Sequence, residues 1–276
     1  MFSKSSSYVG TLFLFLSATT FAQTPIQVFV SIAPQQYLVE SIGQNLVDVS
    51  VMLLPGESPE TFDPTLKQIA GLKNAQLYFR IGVEFENKWL DNIKRSRNDI
   101  KIVDCCKDVI ESRSVAFDNH IWTSARNAQL LAAMIKKELT IIDPVHTEEY
   151  EINYLSLVRD LEQLDNEIYA LLNKRRTDYF IISHAALGHF ADDYGLIQLS
   201  LENQGKELGA RSLIKIIERA QEEKIQTLFV QKQHKSAAAM AFANEIDARV
   251  IEVDVQHGDY INNLRDITNL LSEAMK

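Results

Sequence analysis

Residues 143–176 read DPVHTEEYEINYLSLVRDLEQLDNEIYALLNKRR, with no Gly and a single Pro, at the second position. Asp143 has the side chain of an N-cap and Pro144 suits the first helical position. Tyr150, Tyr154, Leu157, Leu161, Leu164, Ile168 and Leu171 then recur every three or four residues, which places them on one face of a helix. The spacing predicts one helix of about 32 residues, nearly 50 Å long. Its heptads are irregular and the segments on either side are of another kind, which argues for a single packed helix over a coiled-coil dimer.

Both flanks of this helix alternate short apolar runs with helical patterns. Ile26–Ser31, Val47–Leu54, Gln76–Ile81 and Ile100–Asp104 read as buried strands before the long helix, and Asp178–Ser183, Thr227–Gln231 and Arg249–Asp254 after it. Between them, Gln35–Ile42, Thr65–Lys73, Glu86–Arg97, Ser212–Glu223 and Ser236–Asp247 carry helical spacing. Such alternation implies βα units and parallel sheets covered on both faces. The expected fold class is α/β: two similar lobes with central parallel sheets, joined by one long α-helix. The lobes are expected over residues 23–142 and 177–276, with 143–176 as the link.

The N-terminus is of a third kind. Lys4 precedes the apolar run from Val9 to Leu16, and Thr20-Phe21-Ala22 supplies small residues at −3 and −1 of a cleavage point. The run is too short to span a bilayer, so residues 1–22 read as a signal peptide cut near Ala22, with the product soluble and periplasmic. Beyond Lys4 the chain holds 27 basic and 37 acidic residues, a net charge near −10 that argues against nucleic acid and anionic membrane as partners. The two cysteines, Cys105 and Cys106, are adjacent. A disulfide between neighbours is strained and a thiolate metal site needs other spacing, so they read as thiols packed at a strand end.

In open α/β sheets ligands bind at the carboxyl ends of strands. Metal-competent side chains fall there: Glu60 in the loop after Val47–Leu54, His120 in Asp118-Asn-His-Ile-Trp122, His184 directly after a strand, and Asp254 at the end of another. Each half offers two. Two imidazoles and two carboxylates neutralise a divalent cation and fill a four- to five-coordinate site. Spacing alone leaves open the other reading, in which a lone His after a strand is a hydrogen-bonded structural residue.

Four segments in order, Pro55-Gly-Glu-Ser-Pro-Glu-Thr-Phe-Asp-Pro64, Asp118-Asn-His-Ile-Trp122, His184-Ala-Ala-Leu-Gly-His-Phe-Ala-Asp-Asp-Tyr-Gly-Leu196 and Val253-Asp254, resemble the cluster A-I, ZnuA/TroA-like family of periplasmic solute-binding proteins. The long helix and Lys206-Glu-Leu-Gly-Ala-Arg-Ser-Leu213 extend the resemblance over the chain beyond residue 22. The resemblance implies a receptor, not an enzyme, that captures Zn²⁺, or alternatively Mn²⁺ or Fe²⁺, between two lobes and delivers it to the membrane permease of an ABC importer. Glu60, His120, His184 and Asp254 are then the ligands and the receptor is a monomer.

Departures from that pattern are Glu60 where His is usual, Asn119 for Pro, Gln231 for an acidic residue and His189 for an aromatic. A His- and acid-rich loop between Cys106 and Asp118 is missing. His257, three residues past Asp254, and Gln231 are expected around the ligands, whereas His146 and His234 read as solvated and His189 as packed. Two other classes compete. A metal-dependent hydrolase would need an open coordination position and a base, for which Glu202 and Glu207 are candidates. An adhesin or structural relative would have lost metal transport, as the His-to-Glu change at position 60 could allow.

Overall fold

The computed structural model describes residues 24–276, apart from residues 60, 97–98, 108, 110–117, 204–205 and 235. The expected signal peptide and Glu60 therefore lie outside the described residues. Two four-stranded, all-parallel sheets form the framework. The first holds β1 (Ile26–Val30), β2 (Val47–Val51), β3 (Leu77–Arg80) and β4 (Lys101–Asp104) in the order β2-β1-β3-β4. The second holds β5 (Tyr179–Ile182), β6 (Ile197–Ser200), β9 (Thr227–Gln231) and β10 (Arg249–Val253) in the order β10-β9-β5-β6. A two-stranded antiparallel ribbon of β7 (Glu202–Asn203) and β8 (Lys206–Glu207) follows β6.

Strands covered on both faces need apolar side chains on both, and β9, Thr-Leu-Phe-Val-Gln, is buried at every residue. The edge strand β6 shows the converse. None of its four residues, Ile-Gln-Leu-Ser, is buried, and this short strand is absent from the expectation.

The first sheet is flanked by α1 (Ala33–Gly43), α2 (Leu66–Gly71) and α3 (Glu84–Ser96), and the second by α6 (Gly188–Tyr194), α7 (Ala210–Glu222), α8 (Ala237–Glu245) and α9 (Tyr260–Ala274). Between them lie α4 (Ala125–Ile142) and the long helix α5 (Thr147–Leu172). At 26 residues α5 is about 39 Å long, shorter than the sequence predicts. Asp143-Pro144 opens a 3-10 turn, Pro144–His146, and not the α-helix itself. The Asp143 carboxylate does not cap a helix; it accepts from the Tyr150 hydroxyl at 2.9 Å and lies 2.6 Å from His146 Nδ1. His146 is thus a half-buried partner of Asp143 in the 3-10 turn, where the sequence suggests a solvated first-turn residue. At the far end the Arg176 backbone N–H is taken by the Met275 carbonyl at 2.8 Å, which draws the chain out of the helix.

One apolar core runs through both halves. Tyr150, Leu157, Leu161, Leu164, Ile168 and Leu172 of α5 pack in the same cluster as Val28 and Val30 of β1 and Leu264 and Leu271 of α9. The helices α1, α4 and α9 all pack against α5. Polar bonds reinforce this junction: Trp122 Nε1 donates to the Val255 carbonyl at 2.8 Å, and the Tyr260 hydroxyl donates to the Trp122 carbonyl at 2.6 Å. Trp122→Phe removes the first bond and leaves a buried carbonyl unmet. It is expected to lower stability by roughly 1–3 kcal/mol, read as a shift in the urea midpoint. No helix among the described residues is long and apolar enough to cross a membrane.

Candidate metal centre

In each sheet the strand order reverses once, between β1 and β3 in the first and between β5 and β9 in the second. Such reversals open a crevice at the carboxyl ends of the strands. His184 leaves β5 at the second reversal and is only 5% exposed. Its Nδ1 lies 3.1 Å from a Glu202 carboxylate oxygen, brought there by β6 and the β7–β8 ribbon. An imidazole that donates Nδ1–H to a carboxylate is fixed in the tautomer whose Nε2 carries a lone pair, the state a metal ligand requires.

His120 approaches from the first half. Asp118 folds the backbone by accepting from the His120 N–H at 2.9 Å, and the same oxygen lies 2.7 Å from His120 Nδ1. Burial alone would push the Asp118 carboxyl up, but the His120 hydrogen bonds and the charges of His120 and His189 hold it below the ordinary range. The His120 and His184 rings meet edge to face with centroids 5.2 Å apart. Two imidazoles from opposite halves, each backed by a carboxylate at Nδ1, are therefore in contact at the crevice.

The sequence does not bring out the third ring. His234, expected as an exposed loop residue, is half buried: a turn in which its N–H donates to the Gln231 carbonyl folds it back over the β9 end. Its ring stacks on His184 with centroids 4.1 Å apart and planes 8° apart. His234 Nε2 lies 3.5 Å from Ser58 Oγ, two residues before Glu60. Among the described residues, His184, Glu202 and His234 each offer a donor atom within 4.8 Å of the others. Neither role is legible locally, since Glu202 depends on the unread strand β6 and His234 stands among Gln233 and Lys235.

The remaining expected donors are placed as follows. Asp254 ends beside β10 with its carboxylate held by Gln233 Nε2 at 2.9 Å, the Gln256 N–H at 3.0 Å and Lys232 Nζ at 3.8 Å. It is not among the donors that lie within 4.8 Å of one another. Gln231 is buried at the end of β9, its N–H near Ser183 Oγ at 3.3 Å. His257 is exposed and accepts from the Asp259 N–H at 3.1 Å. His189 is fully buried, with Nε2 2.8 Å from the Asp118 carbonyl, in the packed role the sequence suggests. Both cysteines are free and buried, and burial pushes both thiols well above their ordinary range, which leaves no reactive thiolate.

A family model described as the periplasmic zinc-uptake complex component A, ZnuA, matches residues 28–274. A crystal structure of ZnuA superposes with a TM-score of 0.84 at 32% identity, covering 92% of this chain and 100% of that one. The high-affinity zinc uptake system protein ZnuA of Bacillus subtilis (strain 168) is 25% identical, over 84% of this chain and 79% of its own. A putative metal-binding protein of Chlamydia muridarum is 24% identical, over 91% of this chain and 92% of its own.

Proposed function

This chain belongs to the ZnuA family of periplasmic zinc-uptake components, and we propose from that premise that it captures Zn²⁺ between its two halves and hands it to a membrane permease of an ABC importer. The observation that carries the reading is the meeting of His120 and His184, from opposite halves, with a carboxylate behind each Nδ1. Glu60 and Asp254 complete the proposed ligand set, with Gln231 and His257 around it. Asp254 would exchange its bonds to Gln233 and Lys232 for the ion. Mn²⁺ is the alternative cargo, because carboxylate oxygen suits the harder ion while imidazole suits zinc. Residues 1–22 would direct export and be removed near Ala22.

The action is binding without turnover. An imidazole or carboxylate ligand must give up its proton to the solvent before the ion binds, so affinity falls as the solution is acidified. The shared core and the Trp122, Val255 and Tyr260 bonds oppose a wide opening of the halves. Entry and release therefore fall to the loops that carry the ligands.

A competitive titration of chelator-stripped protein with Zn²⁺ and Mn²⁺, on the full chain and on Glu60→Ala, tests the proposal. One tight equivalent, weakened by the substitution and by lower pH, is expected. An absence of saturable binding by either ion would overturn the receptor reading.

A further inference from the structure

His234 lies outside the ligand set that the sequence yields, yet it is the side chain in closest ring contact with His184. It reaches that position from β9, the strand on the far side of the crevice from β6, while Glu202 arrives from the β6 side. The three side chains thus enclose the crevice from both flanks, and their donor atoms lie within 4.8 Å of one another. His234 Nε2 also faces Ser58 across the junction, so this one ring touches both halves at the site.

We propose that His234 is a ligand of the captured ion, giving it a third imidazole beside those of His120 and His184. The inference rests on the receptor reading above and adds a donor to the same site. In the present arrangement the His184 and His234 planes are 8° apart, so their in-plane lone pairs run parallel and do not meet on one ion. Rotating the His234 ring out of the stack turns the pair into convergent donors. The ring sits in a turn and is only half buried, so this motion needs no change in either sheet. The stack is then the resting form of a ligand that swings in once the ion is on His184.

A third imidazole has a consequence for the cargo. Two imidazoles with carboxylates form a mixed site open to Mn²⁺, whereas three imidazoles shift the balance toward Zn²⁺. His234 is therefore the residue that sets zinc preference in this chain.

The discriminating substitution is His234→Phe, which keeps a flat ring on His184 and removes the nitrogen donors. Chelator-stripped full chain is titrated with Zn²⁺ or Mn²⁺ alone against a chromophoric competitor, beside His184→Ala, and zinc-loaded protein is examined by X-ray absorption. The expected result is three imidazoles around zinc in the unaltered chain and two in His234→Phe. Zinc affinity should fall on the order of a hundredfold, with Mn²⁺ affected much less. Two imidazoles in the unaltered chain, or His234→Phe binding zinc as tightly as the unaltered chain, would overturn the inference. If His184→Ala abolishes binding while His234→Phe leaves it intact, the inference alone fails. If the unaltered chain binds neither ion, the receptor reading fails and the inference falls with it.

Discussion

Replacing His184 by alanine is expected to abolish zinc capture, with affinity reduced on the order of a thousandfold or more. Three side chains of the candidate site meet at His184: His120 edge-on, His234 stacked, Glu202 at its Nδ1. Its removal would take away one proposed ligand and leave the Glu202 carboxylate without its imidazole partner. Ligand binding stabilises the folded chain by about 2.7 kcal/mol when free ion exceeds Kd a hundredfold. Thermal unfolding with and without Zn²⁺ should therefore show a clear upward shift in the unaltered protein and none in His184→Ala. Glu202→Gln in the same series should weaken binding by roughly 10- to 100-fold, because it loosens the imidazole without deleting it. A His184→Ala protein that kept the full zinc-induced shift would exclude this residue from the site.

Glu86→Ala is expected to be the most destabilising single change in the first half, by roughly 3–5 kcal/mol. Glu86 is fully buried and fills the crevice at the reversal point of the first sheet. It accepts from Ser31 Oγ, the Ile81 N–H at 2.9 Å, the Gly82 N–H at 2.7 Å and Arg80 Nε at 3.2 Å. Tyr78 extends the network through Ser31 at 3.0 Å. Alanine would leave a guanidinium and two backbone donors facing a void. Equilibrium urea unfolding measures the loss; a change under about 1 kcal/mol would mean that water replaces the carboxylate without penalty.

The same carboxyl supplies a pH signature. Burial pushes its pKa up, and the bonds to Ser31, Ile81, Arg80 and Gly82 pull against that without cancelling it. A carboxyl raised on folding contributes stability that is fully present below its unfolded pKa and is lost as pH rises through the folded one. The penalty of Glu86→Gln, which does not titrate, should accordingly be larger at acid pH than at neutral pH. The opposite slope would show that the four donors outweigh burial.

Much of the framework was legible because burial leaves a mark on the chain itself. β9 was readable because a strand buried on both faces is apolar through its middle, here Leu228 to Val230. The α5 stripe was readable for the same reason, although its start was not. Pro144 suits the first position of a 3-10 turn as well as of an α-helix, and the bonds of Asp143 to His146 and Tyr150 settle which one forms. Strand β6 left little mark, because it is only four residues long, alternates apolar with polar and buries none of them.

Periodicity in the chain specifies two parallel sheets and a long helix between them, and puts Glu60, His120, His184 and Asp254 at strand or loop ends; it was the resemblance to the solute-binding family that gathered those four into one site. The sheets and the helix are consequences of periodicity, and the strand-end positions of where open sheets end. Packing between distant segments is what sets Glu202 behind His184, folds His234 over it and holds Asp254 on Gln233 and Lys232. Each of these depends on a turn or an edge strand whose residues are polar either way, so composition is silent about direction. A polar side chain in a loop follows the backbone that carries it. That path is set by hydrogen bonds between segments far apart in the chain, such as His184 to Glu202 and Trp122 to Val255.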